Sequence, residues 1–376
     1  MTKISKAKYK VGAIGCGQKG TQTARAYTLN PLTEIVAAAD TDTENLALFC
    51  GRFNVPGYTD YKEMLKNEKI DIASAILPVS VNPEVVIDCA QSGVKAITCE
   101  KPIAVTLEDA DRMVEACRSR GIKFSAGDLD RNFADYWKAK EIIDAGEIGE
   151  VQSINILYGS GIEMSGGGCQ LFSLMRMFAG DADVSWVIGW VADDSVSDYD
   201  QGVGGYVRFV NGVECFLHRS RNAKNGTEVL GSRGVFYSDG SFLHLWKADE
   251  GTERPTWHKL KKVEGVFSDS SIWEVPYEYD QAGWKWPGNR QMSTVQSMVD
   301  ALEKDIAPRS DGDNGRKVLE IAIALRESHR RGHCPVRLPL EDRSLKIIPF
   351  PFRLVGKKIA RGKEAYAQQI SIYTKA

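Results

Sequence analysis

Val11-Gly12-Ala13-Ile14-Gly15-Cys16-Gly17-Gln18-Lys19-Gly20 decides the fold of this 376-residue chain. It joins an apolar run, residues 9–14, that reads as a β-strand to a segment with helical periodicity. Gly15, Gly17 and Gly20 fall in the G-x-G-x-x-G spacing. Gly15 permits a tight turn, Gly17 lets the main chain approach a pyrophosphate, and Gly20 lets the helix pack closely on the strand. Gln18 and Lys19 then open a helix whose N–H groups face the phosphates. Such glycines can also simply make a turn. Here the context is a strand-to-helix junction, and Asp40 ends the next strand 20 residues after Gly20. A carboxylate there accepts hydrogen bonds from ribose hydroxyls. The spacing thus predicts a dinucleotide site built by Gly15, Gly17, Gln18, Lys19, Gly20 and Asp40. Asp40 would repel a 2′-phosphate, and Thr41-Asp42 supplies no arginine to compensate. NAD is therefore favoured over NADP.

Working outward, residues 9–14, 34–39, 72–77, 94–99 and 122–126 read as strands. They are short, mostly apolar on both faces and separated by helical patterns, which implies a parallel sheet with both faces covered. Residues 1–126 are expected to form an NAD-binding, doubly wound Rossmann domain. The pattern then changes. Residues 134–145 read as a helix ended by Gly146, residues 151–158 as a strand, and Ser165-Gly166-Gly167-Gly168 as a loop before a helix over 170–178. From 184 to about 260, strands are punctuated by Asn211-Gly212, Asn225-Gly226 and Asp239-Gly240, which are hairpin signals. Two helices follow, over 292–303 and 315–331. The fold class is therefore α/β. A Rossmann domain precedes an α+β domain over 127–376 with a large open, mostly antiparallel sheet, ending in a basic tail, and this second domain interrupts no part of the first. Residues 265–290 form an aromatic-rich loop with Trp273, Tyr277, Tyr279, Trp284 and Trp286. Both stacking on a sugar ring and burial at a subunit interface suit it.

The balance of 48 Lys+Arg against 50 Asp+Glu gives a formal charge of −2, and no reason to expect nucleic acid or membrane as partner. Residues 1–8 carry no apolar stretch, so no secretory leader is expected there. No run approaches the roughly 18 apolar residues of a membrane span. The eight cysteines are scattered with no C-x-x-C pair, so free thiols, no metal site and a cytoplasmic location are expected.

The second chemical signal is Thr98-Cys99-Glu100-Lys101-Pro102, at the end of the fourth strand of this set. Strand C-termini form the ligand crevice in such sheets. Lys101 would stand at its mouth, where the positive charge of oxidised nicotinamide would lower its pKa and suit it to proton transfer. Pro102 would restrict the backbone so that Lys101 points consistently. Pro78, after the third strand, would place the loop 79–83 over the nicotinamide, although an ordinary strand–helix loop suits it equally.

With these residues on view, the chain resembles the glucose-fructose oxidoreductase / inositol dehydrogenase / MocA family. Gly15-x-Gly17-x-x-Gly20, Asp40 and Glu100-Lys101-Pro102 follow its order and spacing, and Asp311-Gly312-Asp313-Asn314-Gly315 before a helix resembles its C-terminal region. The resemblance covers roughly residues 8–340. It implies a Rossmann domain, an open-sheet domain whose outer face often makes a subunit interface, and a Lys101 that helps activate the reacting hydroxyl or carbonyl. Members commonly carry Asp-x-Gly-x-His-x-x-Asp entering the substrate pocket. Here Gly166, Gly168, Gln170 and Ser173 stand at those four positions, so the acid/base histidine is missing. Gln170 can hydrogen-bond a sugar hydroxyl but cannot take its proton. Three readings stay open. Lys101 works alone or through water; another group among Asp128, Asp130, Tyr158 and Glu163 has taken over; or the chain binds ligand without efficient turnover.

Arg131 and Asn132 stand where members often place substrate contacts. For Arg131 and Arg176 a structural ion pair is an equal reading. The expectation is an NAD-dependent dehydrogenase acting on a ring secondary alcohol or ketone of a sugar, glycoside or cyclic polyol, 3-oxidation of a glycoside being one case. Its expected catalytic residues are Lys101 and Gln170. Glu100, Lys101 and Pro78 would add to the cofactor site, and Lys101, Arg131, Asn132, Tyr158, Gln170 and Ser173 would hold substrate. The alternatives are a glycoside-cleaving enzyme that oxidises its sugar transiently, and a non-catalytic sugar or nucleotide sensor. A homodimer or homotetramer is expected from the exposed sheet.

Overall fold

The structure, a computed structural model, describes residues 8–127, 129–157, 163–191, 197–218, 225–271, 274–275 and 277–374. It divides into two compact units, Met1–Leu129 with Val275–Arg316 and Phe350–Ala376, and Asp130–Glu274 with Lys317–Pro349.

The first unit alternates strand and helix: β1 (Tyr9–Ile14), α1 (Gln18–Leu29), β2 (Thr33–Ala39), α2 (Thr43–Phe53), β3 (Gly57–Tyr58), α3 (Tyr61–Asn67), β4 (Ile72–Ala75), α4 (Asn82–Gln91), β5 (Ala96–Cys99), α5 (Leu107–Arg118) and β6 (Lys123–Ser125). All neighbouring strands run parallel in the order β3-β2-β1-β4-β5-β6. The order reverses between β1 and β4, and the strand C-termini beside that reversal form the crevice of such sheets. Every residue of β4 and β5 is buried, as a strand covered on both faces requires. Three helices are capped by their own chain: Asp42 accepts from the amides of Glu44 and Asn45, Asp60 from Lys62, and Thr106 from Asp109. Helix α1 has only Gly17 at this position and no side-chain cap. Its first N–H groups are thus left for other acceptors.

In the second unit come α6 (Leu129–Asn132), α7 (Ala134–Asp144), β7 (Val151–Leu157), α8 (Cys169–Phe178), β8 (Val184–Val191), β9 (Val203–Phe209), β10 (Glu214–His218), β11 (Gly226–Gly231), β12 (Gly234–Ser238), β13 (Leu243–Ala248), β14 (Leu260–Lys262) and β15 (Val336–Arg337). These strands form one sheet ordered β14-β13-β12-β11-β7-β10-β9-β8-β15, antiparallel except where β10 meets β7. Ile154, Ile156, Val187, Val207, Val229 and Phe236 are fully buried on one face. Helix α7 is tied to that sheet by Tyr136 Oη and Ser238 Oγ at 2.8 Å. The other face carries Trp186 against Tyr206 at 5.1 Å and Tyr206 against Phe216 at 5.2 Å, with Trp190 and Phe216 exposed.

Asn211-Gly212 and Asp239-Gly240 turn hairpins between paired strands, as expected. Asn225-Gly226 does not. β7 lies between β10 and β11, so those two strands never pair. Gly226 has a different reason to be glycine: its φ is +118°, and a Cβ there would overlap the carbonyl of Ser238. The glycines before α8 form a π-helical turn, Met164–Gly168, in place of the expected open loop.

The compact units differ from the linear division at residue 126. The chain returns to the first unit with α9 (Asn289–Lys304), before α10 (Gly312–Arg330), and returns again with α11 (Lys363–Thr374). Helix α9 is amphipathic and needs an apolar surface. Its Val295 and Met298 join Val11, Ala26, Tyr27, Ile72 and Ala96 in one buried cluster. The aromatic residues of 277–286 also pack within the first unit. Arg25 lies over the Trp286 ring at 3.8 Å, Trp284 is buried, and Asp280 receives both Arg25 and Arg52. Trp284 and Trp286 thus pack within their own Rossmann unit. Trp273 lies outside the described residues. Among the described residues no helix is long and apolar enough to cross a membrane.

Candidate functional site

The glycine-rich turn sits between β1 and α1, and each of its three glycines answers to a contact. Gly15 has a φ of +92°, and a Cβ on it would overlap the carbonyl of Ile76. One on Gly20 would overlap the carbonyl of Gly15, the close helix–strand approach expected of that position. One on Gly17 would overlap the carbonyl of Lys357, near the other end of the chain. Asp40 ends β2 beside this turn. Its Oδ2 accepts from the Cys16 amide at 2.7 Å and its Oδ1 from the Asp42 amide at 2.8 Å. Each oxygen keeps a further lone pair, so Asp40 is held in place and can still accept from a hydroxyl.

Gln18 begins α1 and is 5% exposed, and its buried Nε2 has no hydrogen-bond partner. Lys19 has an exposed side chain whose Nζ donates to Gln22 Oε1 at 3.3 Å. Protein crowding around the ammonium lowers its pKa to about 8; Lys285, Arg290 and Lys101 add to this as like charges, and Glu100 opposes it. The cations named here outnumber Glu100, the carboxylate acting on Lys19, which suits an anion. The thiols of Cys16 and Cys99 are pushed well up by burial, with Asp40 and Glu100 respectively adding to it. Neither is a thiolate nucleophile at neutral pH.

Glu100-Lys101-Pro102 follows β5 directly, at the crevice end of the sheet. Three features fix its main chain. Asn82, wholly buried at the start of α4, donates through Nδ2 to the carbonyls of Glu100 at 3.2 Å and Ile103 at 3.4 Å. Gly127, with a φ of +66°, packs where a Cβ would meet the Cys99 carbonyl and the Lys101 amide. Below them, Thr98 Oγ1 lies 3.2 Å from Tyr27 Oη. Pro78 follows β4 and leads through the turn Val79–Val81 into α4, on the same edge of the sheet. Sequence reading missed Asn82, Gly127 and Lys357. A glycine just after a strand was the available signal for Gly127; Asn82 and Lys357 gave none.

The expected substrate residues Arg131, Asn132, Gln170 and Ser173 belong to the second unit. All four are buried, and Gln170 and Ser173 lie one turn apart on α8. Arg131 makes a structural ion pair, one of the two readings the sequence left open for it. Its Nη2 donates to both oxygens of Asp181, at 2.8 and 2.7 Å, and its Nη1 to the Ser173 carbonyl at 3.0 Å. Burial pushes Asp181 upward, but the hydrogen bonds and charge of Arg131, with Arg176 and Lys140, outweigh it and hold the carboxyl below its usual range. Of the other groups considered for proton transfer, Asp130 is buried and Glu163 half-buried, while Asp128 and Tyr158 lie outside the described residues. A cavity of about 600 Å³ lies elsewhere in the first unit, lined by Arg25, Arg52, Tyr277, Tyr279, Asp280 and Trp286.

Three contact-enforced glycines, an uncapped helix N-terminus, the orphaned Gln18 Nε2 and a held Asp40 define a dinucleotide-binding, doubly wound domain. The model of the oxidoreductase family with the NAD-binding Rossmann fold matches residues 9–128. Over that stretch the chain is similar to the glucose-fructose oxidoreductase / inositol dehydrogenase / MocA oxidoreductases. It is 32% identical over 142 residues to an uncharacterized oxidoreductase of Streptococcus pneumoniae, a match spanning 38% of each chain. It is 28% identical over 258 residues to myo-inositol 2-dehydrogenase of Thermotoga maritima, spanning 61% of this chain and 75% of that one. Among solved structures, the WlbA dehydrogenase of Bordetella pertussis, in complex with NADH and UDP-GlcNAcA, shares the fold at a TM-score of 0.70. It is 19% identical, with 90% of this chain and 100% of that one covered.

Proposed function

We propose that this chain is an NAD-dependent dehydrogenase acting on a ring secondary alcohol or ketone of a sugar, glycoside or cyclic polyol. The observation that carries the reading is Lys101, fixed after β5 by Asn82 and Gly127 in the unit that bears the glycine-rich turn. The likeness to myo-inositol 2-dehydrogenase supports the substrate class. Bound NAD supplies the two-electron acceptor or donor at its nicotinamide. The α1 amides and Lys19 hold its pyrophosphate, and Asp40 its ribose. Lys101 takes the proton from the hydroxyl as it is oxidised, or donates to the carbonyl oxygen in the reverse direction. Gln170 and Asn132 orient the substrate by hydrogen bonds, and Arg131 braces α8 through Ser173 and Asp181. The aromatic outer face of the second unit's sheet supports a homodimer or homotetramer.

The test is reduction of NAD by the purified chain across sugars, inositols and glycosides, with Lys101→Met alongside. Turnover that falls at least about a hundredfold in Lys101→Met, with NADH binding retained, bears the reading out. NADH binding without turnover on any substrate overturns it. Aglycone release without net NADH assigns the chain to transient oxidation instead.

A further inference from the structure

We propose that residues 353–359 are a strap that occupies the pyrophosphate's place over Gly17, and that the dinucleotide enters by displacing it. The inference rests on the dinucleotide reading above. The second glycine of such a turn lacks a side chain so that pyrophosphate can come close to the main chain. In this structure that approach is taken by the Lys357 carbonyl, whose oxygen stands where a Cβ on Gly17 would point. A carbonyl oxygen carries partial negative charge, so it stands in for a phosphate oxygen.

The strap then crosses the start of α2, two to five residues beyond Asp40. Asn45 holds it from both sides, donating from Nδ2 to the Lys357 carbonyl at 3.4 Å and accepting at Oδ1 from the Ile359 amide at 3.1 Å. Lys358 Nζ pairs with Asp42 Oδ2 at 2.6 Å and Glu44 Oε2 at 2.9 Å. The same segment thus covers the pyrophosphate and ribose positions, and both cannot be filled by strap and cofactor together.

The ionic part of the latch is open to water, while Gln369 Nε2 also donates to the Lys358 carbonyl. Lys358 is half exposed and Glu44 is 70% exposed, so their pairing is weak in water. The closed strap also gathers like charge. Burial lowers the pKa of Lys357, and Arg353 and Lys101 lower it further, against Glu100 alone among the named carboxylates. A pyrophosphate carrying two negative charges would relieve that repulsion once the carbonyl has left Gly17. Binding is then an exchange of one occupant for another, and the apparent dissociation constant exceeds the intrinsic one by the inverse of the fraction of open strap.

Stopped-flow binding of NADH to the full chain tests this, using wild type, Lys358→Ala and Lys358→Glu. In wild type the observed rate should level off at high NADH, because release precedes binding. Both variants should raise the plateau, and Lys358→Glu should tighten the dissociation constant by about threefold to tenfold. Hydrogen exchange supplies a second readout: the Ile359 amide should lose protection when NADH saturates the protein. Unchanged or weaker binding in Lys358→Glu, or a strap better protected with NADH, overturns the proposal and makes the segment a clamp over bound cofactor. Failure of all three proteins to bind NADH overturns the dinucleotide reading itself.

Discussion

Asn82, with no solvent exposure, donates to the Glu100 carbonyl at 3.2 Å and so couples the start of α4 to the main chain of Lys101. Lys101 is useful only if its ammonium meets a reacting oxygen, and misplacement by about 1 Å can cost on the order of 100-fold in rate. Asn82→Ala should therefore lower kcat by about tenfold to a hundredfold while leaving NADH affinity within about twofold. Steady-state kinetics with parallel NADH titration checks this. A loss confined to KM would show that Asn82 does not act through Lys101.

Cofactor affinity should fall with rising pH through the range set by Lys19. Its pKa is lowered to about 8, so it is a cation below that value and neutral above it. Only the cation attracts pyrophosphate. The NADH dissociation constant should accordingly rise as pH passes from about 7 to about 9, and the slope should flatten in Lys19→Met. Fluorescence titration across that interval measures both.

The Arg131–Asp181 pair should stabilise the second unit and have an acid signature. Asp181 titrates below its usual range, so its contribution is present above the unfolded carboxylate pKa of about 3.9 and is lost as pH falls through the lower folded value. Arg131→Ala should cost about 2–3 kcal/mol at neutral pH, less than a fully buried pair because Asp181 is 34% exposed. Asp181→Asn should weaken the pH dependence of unfolding below about pH 4. Urea titrations at pH 7 and near pH 3 separate the two.

The open sheet face offers a direct check on assembly. Trp190 and Phe216 are 40% and 39% exposed among an aromatic row. A charge buried against such a row is strongly disfavoured. Trp190→Glu with Phe216→Glu should convert an oligomer to monomers at micromolar concentration, as read by light scattering. An unchanged mass would place the interface elsewhere.

Much of the first unit was legible because its signals are local. β1 runs from Tyr9 to Ile14 as the apolar run does, and the glycine spacing falls at the strand-to-helix junction. Other strands proved shorter than their apolar runs. Ile76 continues only with a single bond to the Ile14 carbonyl, and Val94 is buried beside Gly93 without joining the ladder. What escaped depends on partners remote in sequence. Nothing near Asn225-Gly226 says that β7 inserts beside β11. Nothing near Lys357 says that its carbonyl faces Gly17, 340 residues away. The role of Arg131 was open for the same reason: its partner Asp181 is 50 residues on.

The return of α9 to the first sheet sets an order of events during synthesis. When a ribosome has made residues 1–129 it has made all six strands of that sheet, but neither Val295 nor Met298, which share a buried cluster with Val11, Tyr27 and Ile72. The nascent half therefore waits, with an apolar surface open to water or to a chaperone, until about 170 further residues have emerged. The nucleotide-binding half, though encoded first, is among the last parts of the protein to be finished.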